Sequence, residues 1–163
     1  MIRSADLSLV LRAGILGAFL IDAYLVVTDV FVLHIASTQE LFQWDASNVL
    51  GSASYAGGWK TAILGCCMHL IVSLTWALVF VIAAKYWSVL VRRPLFSGIG
   101  FGLFVLFVMQ VLVLPLGHAH RPAYHLVGII NVLVAHVVFF GIPVAYAVSR
   151  PNLAGGAAHV ARR

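Results

Sequence analysis

Four long apolar runs make up most of this chain, and they restrict its fold more than any other feature. They lie at about residues 13–36, 59–83, 95–117 and 123–148. Each is roughly 20 residues or longer, which is the length that a helix needs to cross the hydrocarbon core of a membrane. We expect helices because lipid offers no hydrogen-bond partners to an exposed backbone, and because the runs lack the alternating polarity of barrel strands.

The composition is typical of a membrane protein. Of the 163 residues, 63% are hydrophobic and 9% are charged, so a soluble fold would have too few charges to cover its surface. The net charge is +5, and the basic residues that produce it lie beside the apolar runs. This placement indicates anionic lipid and topology signals and argues against a nucleic-acid partner. We expect one four-helix transmembrane domain over residues 1–150 and a basic cytoplasmic tail over residues 151–163.

The basic residues predict the orientation of the spans. With the N-terminus in the cytoplasm, eight of the ten Lys and Arg residues lie inside, namely Arg3, Arg12, Lys85, Arg92, Arg93, Arg150, Arg162 and Arg163. Lys60 and Arg121 then lie outside. The positive-inside rule therefore favours a cytoplasmic N-terminus and a cytoplasmic C-terminus.

The segment between the first two runs predicts a short amphipathic helix. Ser37 and Glu40 have the spacing of a capping box, in which each side chain accepts a hydrogen bond from the backbone of the other residue. Apolar side chains follow at roughly helical spacing, and Gly51 is placed to end the helix. We expect this helix to lie on the outer membrane interface. The closely connected spans then predict an all-α, up-and-down bundle of four transmembrane helices.

Small residues and prolines predict how the spans pack. Gly98 and Gly102 form a small-xxx-small pair, which allows close backbone approach either within the bundle or between copies of the chain. Pro115 and Pro143 each remove a backbone donor from a span, so we expect kinks there. Small and polar side chains share one face of the second run: Ala62, Gly65, His69, Ser73 and Trp76.

Polar side chains inside the apolar runs are the strongest functional signal. A carboxylate in hydrocarbon costs about 2.5–3.5 kcal/mol on insertion scales, so such groups should face the interior and meet partners. Asp22, His69 and His136 fall at similar depths, which predicts one shared layer. The candidate intramembrane polar cluster consists of Asp22, Asp29, His69, Gln110, Asn131 and His136.

Three interpretations of this layer stay open. In the first, Asp22 hydrogen-bonds a histidine and only joins helices. In the second, His69 and His136 ligate haem iron, or together with Asp22 they hold a transition metal such as iron or zinc. In the third, Asp29, Asp22 and the histidines relay protons or ions.

A second candidate metal site lies at the turn between the third and fourth runs. His118, His120 and His125 have a spacing that permits copper or zinc binding at the outer surface. No cysteine or carboxylate lies beside them in the sequence. An ordinary polar turn is therefore the competing interpretation.

Five short motifs lie along the chain: GGWKTAILG at 57–65, MHLIVS at 68–73, RPLFSG at 93–98, VLPL at 113–116 and GIPVA at 141–145. With Asp22 and the following Ala23, they resemble a widespread group of small uncharacterised bacterial inner-membrane proteins. The resemblance covers roughly residues 14–149. It implies four spans in the bacterial inner membrane and no particular activity. His69 and His136 match positions of that group, whereas His118 and His120 depart from its usual outer turn.

The sequence favours a non-enzymatic accessory or scaffold component of a larger membrane assembly, because the bundle is minimal and its loops are short. No catalytic residue is predicted. The expected partners are the lipid bilayer and either other membrane subunits or further copies of the chain. The alternatives are a haem- or metal-binding redox protein using His69 and His136, and a proton-coupled carrier using Asp22.

Overall fold

The computed structural model describes residues 4–119 and 125–149, and these form helices joined by short turns. Helix α1 spans Ser4–Leu25 and continues as wider π-helical turns over Val26–Val32. Helix α2 spans Thr38–Leu50, and a 3-10 segment at Gly51–Gly57 leads into α3, which spans Gly58–Tyr86.

The second half of the chain forms two further long helical stretches. After the short α4, Val89–Arg92, helix α5 spans Pro94–Val108. It continues as π-helical turns over Met109–Val113 and ends in α6, Leu114–Leu116. Helix α7 spans Leu126–Val134, widens to a π-helix over Ala135–Gly141 and stays helical to Ser149. The basic tail predicted for residues 151–163 lies outside the described residues.

Within the described residues, four helical stretches are long and apolar enough to cross a membrane, namely Asp6–Val32, Thr38–Tyr86, Pro94–Leu116 and Leu126–Ser149. The prediction of four apolar helices is therefore confirmed. The second stretch includes α2, because only the 3-10 segment separates it from α3, yet α3 alone has 29 residues. The first stretch begins at Asp6 instead of near residue 13. A polar residue is tolerated there because Asp6 forms an ion pair with Lys85 of α3 at 2.5 Å.

Helices α1 and α3 run in opposite directions along each other, since Asp6 pairs with Lys85 and Asp22 contacts His69 farther along both helices. Helix α1 also packs on the π-helical part that follows α7, and this part packs on α5. The buried core between the helices is apolar, and its members include Val10, Ala77, Phe80, Val81, Phe140, Val144 and Ala145. We call the end of the bundle that carries α2 the α2 end, and the opposite end the α4 end.

Glycines allow α5 and the fourth long helix to touch through their backbones. A Cβ placed at Gly98 would lie 2.6 Å from the Cα of Ile142, and one at Gly102 would lie 2.7 Å from the Cα of Val137. Since these neighbours are backbone atoms, they cannot rotate away. The predicted close approach at the glycine pair is confirmed, and it occurs within the bundle.

Both prolines lie next to widened helical turns. The π-helical turns Met109–Val113 precede Pro115, and the turns Ala135–Gly141 end just before Pro143. A proline lacks the N–H that would bond the carbonyl four residues earlier, and a π-helical turn changes the local hydrogen-bond register. The disturbance that the sequence predicts at each proline therefore takes the form of a wider helix.

The glycine contact makes a matched pair of substitutions informative. Gly102→Ala should lower stability by about 1–3 kcal/mol, because the new methyl group would overlap the backbone of Val137. Gly100→Ala in the same helix meets nothing within 4 Å and should be neutral or stabilise by up to about 1 kcal/mol. Thermal unfolding in detergent measures both. Equal midpoints for the two variants would contradict the proposed packing.

Candidate functional site

Two carboxylates from two other helices meet the imidazole of His69 in α3. Its Nδ1 atom lies 2.5 Å from Oδ1 of Asp22 in α1 and 3.7 Å from Oδ2 of Asp45 in α2. The side chains of His69, Asp22 and Asp45 are only 16%, 19% and 26% exposed. We call these three residues the Asp–His–Asp cluster.

The contact between Asp22 and His69 is short and buried. Nδ1 of His69 is buried, and Oδ1 of Asp22 lies 2.5 Å from it. Because Oδ2 of Asp45 lies 3.7 Å from the same nitrogen, one imidazole nitrogen faces two carboxylates.

Helix α2 carries Asp45 to His69 because its start and its packing are both fixed. The predicted capping box is present, with the Ser37 N–H donating to Glu40 Oε2 at 2.8 Å and the Glu40 N–H donating to Ser37 Oγ at 3.2 Å. A missing side chain at Gly65 then lets the backbone of α2 pack directly on α3, where the Phe42 carbonyl lies against it. Asp45 follows Phe42 by one helical turn and reaches His69.

Gln43 fixes the connection from α2 to α3. This side chain is buried, and its Nε2 donates to the carbonyls of Ser54 at 3.1 Å and Gly58 at 3.0 Å. Thr61 Oγ1 also donates to the Ser54 carbonyl at 2.5 Å. Neither Gln43 nor Asp45 is among the site residues predicted from the sequence. The capping box was the signal for them in the sequence. It fixes where α2 begins, and therefore on which face of the helix each side chain lies.

Asp29 takes part in a separate polar contact. The Asn131 side chain in α7 donates to Asp29 Oδ1 at 2.6 Å, and the Thr28 hydroxyl lies 3.4 Å from the same oxygen. Asn131 is buried. The polar cluster predicted from the sequence therefore contains at least two groups: Asp22 faces α3, and Asp29 faces α7.

The remaining two residues of the predicted cluster lie in widened turns. His136 is half-buried, and its Nδ1 lies 2.9 Å from the Val132 carbonyl of the same helix. Gln110 is half-buried in the turns Met109–Val113. Asp22 and His69 are therefore in contact, while a layer that also includes His136 stays a prediction.

No metal centre is assembled within residues 4–119 and 125–149, where no group of three or more His, Cys, Asp and Glu side chains could hold an ion. His118 is exposed, and its backbone N–H donates to the Asn48 carbonyl at 2.9 Å. His125 is exposed at the start of α7, and His120 lies outside the described residues. The haem and metal hypotheses for both histidine sets stay predictions.

The Asp–His–Asp cluster lies nearer the α2 end than the α4 end. His69 follows Gly58, the first residue of α3, by eleven residues, which is about 16 Å at 1.5 Å per residue. Lys85 and its partner Asp6 lie sixteen residues farther on, about 24 Å away. The intervening interior contains the buried apolar side chains of Ala77 and Phe80.

Comparison with protein-family models, curated proteins and solved structures found no match for this chain. A functional conclusion therefore depends on the chemistry of the residues themselves. The most distinctive chemistry is an imidazole placed between two carboxylates inside an apolar helical protein.

A double-mutant cycle tests the second polar contact. Asn131→Leu removes the amide that donates to Asp29 and should lower stability by about 1–3 kcal/mol, because a carboxylate loses its partner. Asp29→Leu in the Asn131→Leu background should cost less than Asp29→Leu alone. Unfolding in a denaturing detergent measures all four proteins. Strictly additive losses would show that the two side chains do not interact.

Proposed function

We propose that this chain is a multi-pass protein of the bacterial inner membrane that works as a proton carrier, in which the proton itself is the transported ion. Both termini lie in the cytoplasm and the four spans form an up-and-down bundle, so the α2 end is the outer end. The basic residues support this orientation through the positive-inside rule. The sequence resemblance to small bacterial inner-membrane proteins supports the location.

The observation that supports this function best is the position of His69 between Asp22 and Asp45. Histidine and aspartate are the side chains that most often exchange protons within membrane proteins. Ionisable groups are expensive in an apolar interior, and a purely structural join between helices needs only one donor and one acceptor. Two carboxylates at one imidazole allow a proton to pass between three neighbouring groups.

The cluster is connected to the outer end by α2. Asp45 belongs to α2, the helix that marks the outer end, so it is the member of the cluster that links His69 to that end. Asp22 and His69 lie on the long apolar helices α1 and α3. Protons therefore enter at Asp45, pass to His69 and reach Asp22.

A carrier fits this arrangement better than an open channel. Apolar side chains, including Ile21, Ala77 and Phe80, are buried between the cluster and the cytoplasmic end. Release of the proton to the cytoplasm thus requires a second conformation. The widened turns Val26–Val32 begin four residues after Asp22, and the turns Ala135–Gly141 pack on α1. Such turns are frequent at functional sites.

The accessory or scaffold role predicted from the sequence stays a prediction. Large apolar side chains such as Phe19, Phe107 and Leu126 are exposed along the helices. This surface suits lipid as well as another membrane subunit, so it does not favour an assembly over a lone bundle.

Proton flux into vesicles that contain the purified protein tests the proposal. After an acid pulse outside, vesicles with the wild-type protein and an internal pH dye should acidify faster than empty vesicles. Asp22→Asn should reduce the rate to that of empty vesicles, because the last proton-accepting group is lost. His69→Gln should do the same, since it removes the titratable group that links the two carboxylates.

Asp29→Asn is the matched control. Asp29 is also a carboxylate in the first span, but it contacts Asn131 and not the Asp–His–Asp cluster. This variant should keep most of the wild-type rate. The proposal is wrong if the wild-type protein acidifies vesicles no faster than empty ones, or if Asp29→Asn is as damaging as Asp22→Asn.

A further inference from the structure

A groove at the α2 end is lined by none of the residues of the Asp–His–Asp cluster. It has a volume of about 680 Å³ and lies between the end of the first span, the start of α2 and the entry to α3. Three aromatic side chains line it, those of Phe31, Tyr55 and Trp59, and all three are exposed. Glu40 lines it as well, and no Lys or Arg is among its lining residues.

Aromatic rings beside a carboxylate are a chemical match for an organic ammonium group. The faces of Trp, Tyr and Phe rings attract cations, and sites lined by such rings recognise choline-like ligands. Glu40 adds a full negative charge. Its carboxylate is held in place by the Ser37 N–H at 2.8 Å, which leaves one carboxylate oxygen for a ligand.

The walls of the groove are fixed by interactions behind them. The capping box sets the first turn of α2, and the buried Gln43 amide ties α2 to the carbonyls of Ser54 and Gly58. Tyr55 and Trp59 belong to this same connection. A ligand therefore meets a groove that is already formed, which lowers the entropy cost of binding.

Two observations favour a lipid over a soluble cation as the source of the ammonium group. Phe31 belongs to a stretch long and apolar enough to span the membrane and is 66% exposed, so one wall of the groove continues into the lipid-facing surface. Lys60, which is exposed and follows Trp59, supplies a positive charge next to the groove for a lipid phosphate. We propose that this groove binds the ammonium headgroup of a zwitterionic phospholipid in the leaflet at the α2 end.

Native mass spectrometry of the delipidated protein in detergent tests the proposal. The protein is mixed with phosphatidylethanolamine or with phosphatidylglycerol of the same acyl chains. We expect the wild-type protein to retain phosphatidylethanolamine about tenfold better, as a cation–π contact and one ion pair together would produce. Glu40→Gln should remove this preference. Glutamine also serves at the third position of a capping box, so the helix is kept while the charge is lost.

Two tryptophan variants distinguish the groove from general lipid contact. Trp59→Leu should weaken the retention of phosphatidylethanolamine, because Trp59 lines the groove. Trp87→Leu should leave it unchanged, because Trp87 is similarly exposed, at 63% against 60% for Trp59, but lies after the other end of α3. Equal retention of the two lipids by the wild-type protein, or an unchanged preference in Glu40→Gln, would overturn the proposal.

A second arm separates the lipid from a soluble cation. Choline chloride is titrated into the lipid-free protein, and binding is followed by calorimetry. We expect weak or unmeasurable binding, since choline lacks the phosphate and the acyl chains. Tight choline binding without a preference for phosphatidylethanolamine would show that the groove takes a soluble ammonium ion, and the lipid proposal would be wrong.

Discussion

The contact between Asp22 and His69 is the constraint on which the rest of this structure depends. Each group is expensive to place in an apolar bundle, and each is made tolerable by the other. The contact lies on the two helices, α1 and α3, that also share the ion pair of Asp6 with Lys85. Two polar contacts sixteen residues apart on both helices fix their register, which apolar packing between lipid-facing helices would leave less well defined.

Close backbone packing then completes the bundle around this pair of helices. Gly65 admits α2 onto α3, and Gly102 admits the fourth long helix onto α5. The two contacts have different consequences. The first brings a third ionisable group, Asp45, to His69, and the second brings the widened turns that carry His136 against α5. Glycines, which have no functional side chain, therefore determine through packing which helices and polar side chains meet.

Much of the architecture could be predicted because lipid as a solvent leaves few choices. The length of the apolar runs predicts the four long helices, and the spacing of Ser37 and Glu40 predicts where α2 begins. The grouping of polar residues was only partly predictable. Asp22 and Asp29 are seven residues apart, a spacing that would place both on one face of a regular α-helix. The π-helical turns over Val26–Val32 alter the helical repeat between them, and Asp29 meets α7. Asp45 was missed because a surface position was expected for α2.

The central claim is that Asp22 and His69 touch within the bundle when the protein is in a bilayer. Solid-state NMR in lipid vesicles measures this directly, through the dipolar coupling between 15N-labelled His69 Nδ1 and the 13C-labelled carboxyl carbon of Asp22, with His69→Gln used to assign the signal. A strong coupling is predicted from the Nδ1–Oδ1 distance of 2.5 Å. Absence of any coupling, with Asp22 and His69 both turned towards lipid, would contradict the account.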